Sequence, residues 1–339
     1  MDHAALTALA AKNLSDIIKD AICLQPTEHA YVIFDTEAPL TQILLDGYRA
    51  ALPEGTFIDF STTTPDKILE LFNACKPGDL VVLLQSTNFR LNEFRVRIEL
   101  FQRGLKTIEH MHLYRMSEDQ FETYINTLAY DPSYYSPLGH ALKKIIEPAK
   151  EIIVRCKGTT LTYATPMEMV KLNCGDYREM KNVGGTFPIG EVFTEAADLT
   201  KVNGDAMVFS YANEEHMVQI VEPFPVHIEQ GVLTAPEAPA EFQRILDLIR
   251  EDEAVIVREF GLGLNPAVGK HALINDITAF ERQKGMHVSL GAKHTVYAKP
   301  GLNRKKGRYH IDIFIDIESI EADGKVFYKD GDFIIDKNA

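Results

Sequence analysis

Ala30-Tyr31-Val32-Ile33-Phe34 and Leu80-Val81-Val82-Leu83-Leu84 are two apolar five-residue runs, and the residues between them have helical spacing. Unbroken apolar runs of this length read as strands buried on both faces, which is how a parallel sheet with crossover helices is built. The first intervening helix carries Leu40, Ile43, Leu44 and Tyr48 and ends near Pro53-Glu54-Gly55. A short strand over residues 57–60 and a helix over 65–74 follow, closed by the turn Lys76-Pro77-Gly78-Asp79. Working outward, Leu6, Leu9, Leu14, Ile17, Ile18 and Ala21 mark an amphipathic helix. A helix over 93–103 and a strand over 107–114 continue the alternation to about residue 150. The pattern predicts an α/β domain with an open, mostly parallel sheet over residues 1–155. Neither GxGxxG after the first strand nor GxxxxGK[ST] occurs there, so nucleotide binding has no motif support. Asp35 and Ser86-Thr87 stand at strand ends, where open sheets bind ligands, but caps and turns use the same residue types.

The texture changes over residues 156–339. Short strand-like runs cover 151–156, 160–164, 206–211, 218–220 and 255–259. One helix over 239–250 has Phe242, Ile245, Leu246 and Ile249 on its apolar face. Asp323-Gly324 and Asp330-Gly331 are two-residue hairpin turns between apolar neighbours. This half reads as an α+β, antiparallel-rich domain.

Charge narrows the function classes. With 35 basic and 49 acidic residues the net charge is −14, which speaks against nucleic acid and anionic lipid as partners. No apolar run approaches the roughly 18 residues of a membrane span. The N-terminal stretch carries Asp2, Lys12, Asp16, Lys19 and Asp20, which no signal peptide core would tolerate. Cys23, Cys75, Cys156 and Cys174 have no CxxC spacing and read as free, buried thiols of a cytoplasmic protein.

Metal-ligand residue types stand at the edges of several apolar runs. Glu191 lies between Gly190 and Val192-Phe193. Glu259 ends the run from Val255 and precedes Gly261-Leu262-Gly263-Leu264-Asn265-Pro266. His287 is embedded in Gly285-Met286-His287-Val288-Ser289-Leu290-Gly291. In Tyr309-His310-Ile311-Asp312-Ile313, a strand would point His310 and Asp312 to one face, a good two-point platform for a metal. Each alone is more commonly an ordinary strand residue; together they are two histidines and three carboxylates, enough for two metal ions.

The order of these segments resembles the aminopeptidases of peptidase family M29, the thermophilic-metalloprotease type. The matching phrases are Pro188-Ile189-Gly190-Glu191-Val192-Phe193-Thr194, then Glu259 with Gly261 to Pro266, then the strand of His287, then His310-x-Asp312. They span roughly residues 158–335. The resemblance implies a dinuclear centre of zinc, cobalt or manganese held by Glu191, Glu259, His287, His310 and Asp312. It also implies a metal-activated water, release of N-terminal residues from small peptides, and a homodimer. The family has a tyrosine seven residues after the strand histidine; here that position is His294, with Tyr297 three residues on. Glu259, His294 and Tyr297 are therefore the expected catalytic groups. The basic run Arg304, Lys305, Lys306 and Arg308 could bind a substrate carboxylate or be a solvated loop.

Two other readings stay open. His287, His310 and Asp312 also form a two-histidine, one-carboxylate set suited to a single Fe(II), as in ring-cleaving dioxygenases acting on dihydroxypyridines. The third is a metal-binding homologue without catalysis.

Overall fold

The structure is a computed structural model that describes residues 1–91, 94–178, 180–291, 297 and 309–335. His294 and the basic run from Arg304 to Arg308 lie outside the described residues. The chain divides into two compact units: Met1–Ser136 with Gly175–Ile189 and Lys270–Ala279, and Pro137–Cys174 with Gly190–Gly269 and Phe280–Ala339.

The first unit holds a five-stranded parallel sheet. Its strands are β1 (Ala30–Phe34), β2 (Thr56–Asp59), β3 (Leu80–Leu84), β4 (Lys106–His110) and β5 (Gly184–Thr186), in the order β5-β4-β3-β1-β2. Every pairing is parallel, as unbroken apolar strands require. Ile33, Val81 and Leu83 pack on one face with Ile68 and Phe72 of the helix Pro65–Ala74, and with Val96 and Leu100 of the helix Val96–Gln102. Val32, Leu80 and Val82, which alternate with them, are equally buried on the other face. The helix expected over 93–103 begins only at Val96, after the short strand pair Arg90–Leu91 and Phe94–Arg95.

Asp35 and Ser86 do stand at the carboxyl ends of adjacent strands, but their polar atoms are engaged with each other. The Ser86 hydroxyl and N–H both donate to Asp35, and the hydroxyl also accepts from the Ala38 N–H at 2.8 Å. Thr41 Oγ1 lies 2.8 Å from the same hydroxyl. The network fastens the strand ends to the start of the helix Pro39–Ala51.

The second unit is built on a 13-stranded sheet paired antiparallel throughout. Five strands matter for the site: β6 (Glu191–Glu195), β7 (Val202–Ala212), β8 (Val257–Gly263), β9 (Gly285–Gly291) and β10 (His310–Ile315). They lie side by side in the order β7-β10-β9-β8-β6. Both expected hairpin turns are present, with left-handed backbone at Asp323-Gly324 and at Asp330-Gly331, as a two-residue turn of this kind demands.

Several expectations need correction. The strand expected over 218–220 runs over Val218–Glu229 and includes Pro223 and Pro225. Prolines are tolerated there because that stretch is paired on one side only, to β7. The strand expected to stop at Glu259 continues through Gly261 to Gly263, so Glu259 is a mid-strand residue. All four cysteines are free, but Cys23 is exposed and Cys75 only half-buried. Among the described residues no helix is long and apolar enough to cross a membrane.

Candidate metal centre

Alternation along an antiparallel ladder decides which side chains meet, because residues directly opposite share a face. Glu191 is opposite Gly263, Phe193 opposite Gly261, and Glu195 opposite Glu259. Gly261 is in turn opposite His287. On the far side His287 faces Phe314, Ser289 faces Asp312, and Gly291 faces His310. One face of β6, β8, β9 and β10 thus carries Glu191, Glu195, Glu259, His287, His310 and Asp312.

The glycines of β8 make room for the histidine. A Cβ on Gly261 would run into the Nε2, Cε1 and Cδ2 atoms of His287, so the imidazole lies directly across the strand at that point. A Cβ on Gly263 would meet the carbonyl of Gln283. The ring crosses β8 and brings its Nε2 within 3.2 Å of Glu191 Oε1 and 3.4 Å of Glu259 Oε1. His287 is 1% exposed, and Glu191, Glu259 and Asp312 are also buried. His310 is half-buried, with Nε2 3.3 Å from Asp312 Oδ1.

Two acidic residues that the sequence reading missed share this surface. Glu281 offers an oxygen within 4.8 Å of ligand atoms of both Glu191 and His287. Its neighbour Arg282 is buried, pairs with Glu281 at 2.8 Å, and donates to Glu191 Oε2. Arg282 therefore holds one oxygen of Glu191 while the other faces His287. Glu195 is the second, buried on β6 four residues after Glu191.

Burial disfavours charge on His287, but hydrogen bonds and negative charge from Glu191 and Glu259 override it and hold the imidazole pKa well above its usual range. The Glu281 carboxyl is pushed well up, first by burial and then by the charges of Glu191 and Asp312, with Arg282 and His287 opposing. Five carboxylates on this surface face one guanidinium and two imidazoles among the described residues. Buried negative charge in such excess is costly unless cations join it. Carboxylate and imidazole donors on rigid strands are the ligands that divalent transition ions take, so the residues fit such ions.

The chain folds like AmpT. The solved structure of wild-type AmpT from Thermus thermophilus matches with a TM-score of 0.62, covering 97% of this chain and 99% of that one, at 13% sequence identity. The α/β unit with a parallel sheet and the antiparallel-rich unit expected from the sequence are both observed. At this identity the likeness speaks for the fold alone. No protein-family model and no curated protein sequence matches the chain.

Tyr297 points its hydroxyl at backbone. It donates to the carbonyls of Met169 at 2.9 Å and Phe193 at 3.4 Å. Burial, with the charges of Glu259, Glu195 and Glu168, raises its pKa, so the phenol stays protonated and a donor.

Proposed function

We propose that this protein is a metal-dependent aminopeptidase that releases N-terminal residues from small peptides at a dinuclear centre. The ligands in this reading are Glu191, Glu259, His287, His310 and Asp312. The observation that carries it is the convergence of Glu191 and Glu259 on the single nitrogen His287 Nε2, at 3.2 and 3.4 Å, across a strand whose glycine leaves room for the ring. The motif resemblance and the AmpT-like fold support the same reading. A homodimer belongs to the proposal on the resemblance alone.

When bound, divalent ions supply Lewis acidity and an activated water. The chain's own groups account for the rest. Arg282 fixes Glu191 from behind, so that Oε1 keeps facing His287. The excess of carboxylates attracts a cationic group, as the free α-ammonium of a peptide is, and repels an acidic one. Glu281 is 18% exposed in its side chain, and burial with the charges of Glu191 and Asp312 raises its pKa. It is the chain's candidate to take a proton at its carboxylate and return it to the departing amine.

Elemental mass spectrometry of the purified protein tests this reading, together with assays on short peptides with free and N-acetylated termini. The expected result is about two equivalents of zinc, cobalt or manganese, with turnover of the free-amine peptides only. Glu259→Ala should lose one equivalent and the turnover. One equivalent of iron with oxygen uptake on dihydroxypyridines would instead establish the oxygenase reading. An unchanged metal count in Glu259→Ala would remove Glu259 from the centre.

A further inference from the structure

The pairing of β8 with β9 slips at one step. Val257 pairs with Leu290 and Phe260 with Val288, so Arg258 and Glu259 together oppose the single residue Ser289. This is a β-bulge, which breaks the ladder locally and re-aims a side chain. The pairing of β8 with β6 on its other side continues without a shift, leaving Glu195 opposite Glu259. The irregularity is therefore confined to the side facing β9.

Both bulged residues are fastened to β9 by side chains. Arg258 Nε donates to the Gly291 carbonyl at 3.0 Å. The Glu259 N–H donates to Ser289 Oγ at 3.2 Å. Ser289 is fully buried, and across the next pairing it is opposite Asp312. A buried hydroxyl is costly unless it is hydrogen-bonded, so an apolar residue would fill a regular strand position at less cost. The bond that Ser289 makes is to the backbone of Glu259, at the step where the ladder is broken. Among the described residues its hydroxyl hydrogen remains to be donated, and the residue opposite is Asp312. The serine thus stands between two of the proposed ligands in one row of the sheet.

We propose that Ser289 is a positioning residue of the metal centre: its hydroxyl holds the bulge at Glu259 and so aims the Glu259 carboxylate at His287 Nε2. The inference rests on the metal-centre reading and deepens it. Removing the hydroxyl frees the Glu259 backbone to settle elsewhere, and groups that orient a ligand in this way typically contribute about 10–100-fold to metal affinity.

The test is a zinc titration of chelator-stripped full-length protein by calorimetry. It compares wild type, Ser289→Ala, Glu259→Gln and the double variant, with the melting temperature of each metal-free protein measured alongside. Ser289→Ala should bind at least one zinc equivalent about 10–100-fold more weakly. In the Glu259→Gln background the same change should add less than about threefold, because a residue acting through Glu259 has nothing left to aim. Wild-type zinc affinity in Ser289→Ala overturns the proposal, even if its melting temperature falls, since that pattern is a purely structural role. Full additivity in the double variant overturns it too. Wild-type protein that takes up no zinc defeats the metal-centre reading itself, and this inference with it.

Discussion

Gly261→Ala is the smallest change that should dismantle the centre. Gly261 lies beneath the imidazole of His287, and an added Cβ would sit 2.7 Å from Cδ2 and closer still to Nε2 and Cε1. Ordinary contact with a Cβ begins near 3.4 Å, so the ring must retreat by at least about 0.7 Å at Cδ2, and by more at Nε2. The ring has little room to move, being 1% exposed with the Phe314 ring centred 5.8 Å away. Any retreat draws Nε2 away from Glu191 and Glu259, the two carboxylates it now meets at 3.2 and 3.4 Å. Functional constellations tolerate displacements of about 0.5 Å, and a misplacement of about 1 Å costs on the order of 100-fold. The expected outcome is roughly 100-fold weaker zinc binding, with a matching loss of the proposed peptidase activity. A stability loss of about 1–3 kcal/mol from overpacking should accompany it. Zinc titration and urea unfolding measure the two effects separately. Gly269→Ala is the control, because a Cβ there meets nothing within 4 Å, and it should change neither. Wild-type zinc affinity in Gly261→Ala would falsify the argument, since the ring could then not depend on the space above that glycine.

Two further predictions concern the first unit. His110 is fully buried between Tyr48 Oη at 2.7 Å and Tyr124 Oη at 3.0 Å, and burial lowers its pKa to about 3. Its folded pKa lies below the unfolded value of about 6.5, so its contribution is complete above about pH 6.5 and is lost as pH falls towards 3, by up to ~1.4 kcal/mol per unit. Urea unfolding of His110→Gln between pH 7 and 4.5 should show a flatter decline than wild type; equal slopes would mean that His110 is not the titrating group. Arg115 and Asp276 form a buried ion pair at 2.7 Å, with side chains 7% and 3% exposed. Asp276→Asn should cost about 3–5 kcal/mol by stranding the guanidinium, and replacing both with apolar residues of similar size should recover most of it. A loss below 1 kcal/mol in the single variant would contradict this account.

The parallel sheet was legible because Val32, Val82 and their neighbours are buried on both faces, so the runs contain no polar interruption to mislead the eye. The antiparallel unit was harder to read for a physical reason. Gly261 and Gly263 read as a loop signal, yet they are strand glycines, present because a histidine ring and a backbone carbonyl approach too closely for a side chain. Pro223 and Pro225 cut short a strand that tolerates them at its unpaired side. Glu195 was within reach of the sequence, since Glu191, Phe193 and Glu195 alternate on one face once that segment is taken as a strand. Glu281 was not, because it lies between the short helix Ile277–Phe280 and β9, where no repeating pattern sets its direction. Nor could the bulge be foreseen, since it is a relation between two strands, invisible in either alone.

The arrangement also bears on how many ions the face would hold. His287, His310 and Asp312 occupy adjacent strands and could serve one ion by themselves. A single-ion reading then leaves Glu191 and Glu259 buried at the same imidazole nitrogen with Arg282 as the nearby guanidinium, and Arg282 is already shared with Glu281. Like charges brought together out of water raise one another's pKa or recruit a cation. The strands β6, β8, β9 and β10 are spaced by about 4.8 Å each, so Glu191 and Asp312 start from backbones three spacings apart. Metal–oxygen and metal–nitrogen bonds are only about 2.0–2.2 Å long, and one ion could not draw ligands from the whole width of that ladder without distorting it. If residues towards β6 and residues towards β10 each held an ion, positive charge would stand at both ends of the acidic row. In that proposed arrangement Glu259, on the central β8, would serve both ions, and it stands where the strand departs from regular pairing with β9.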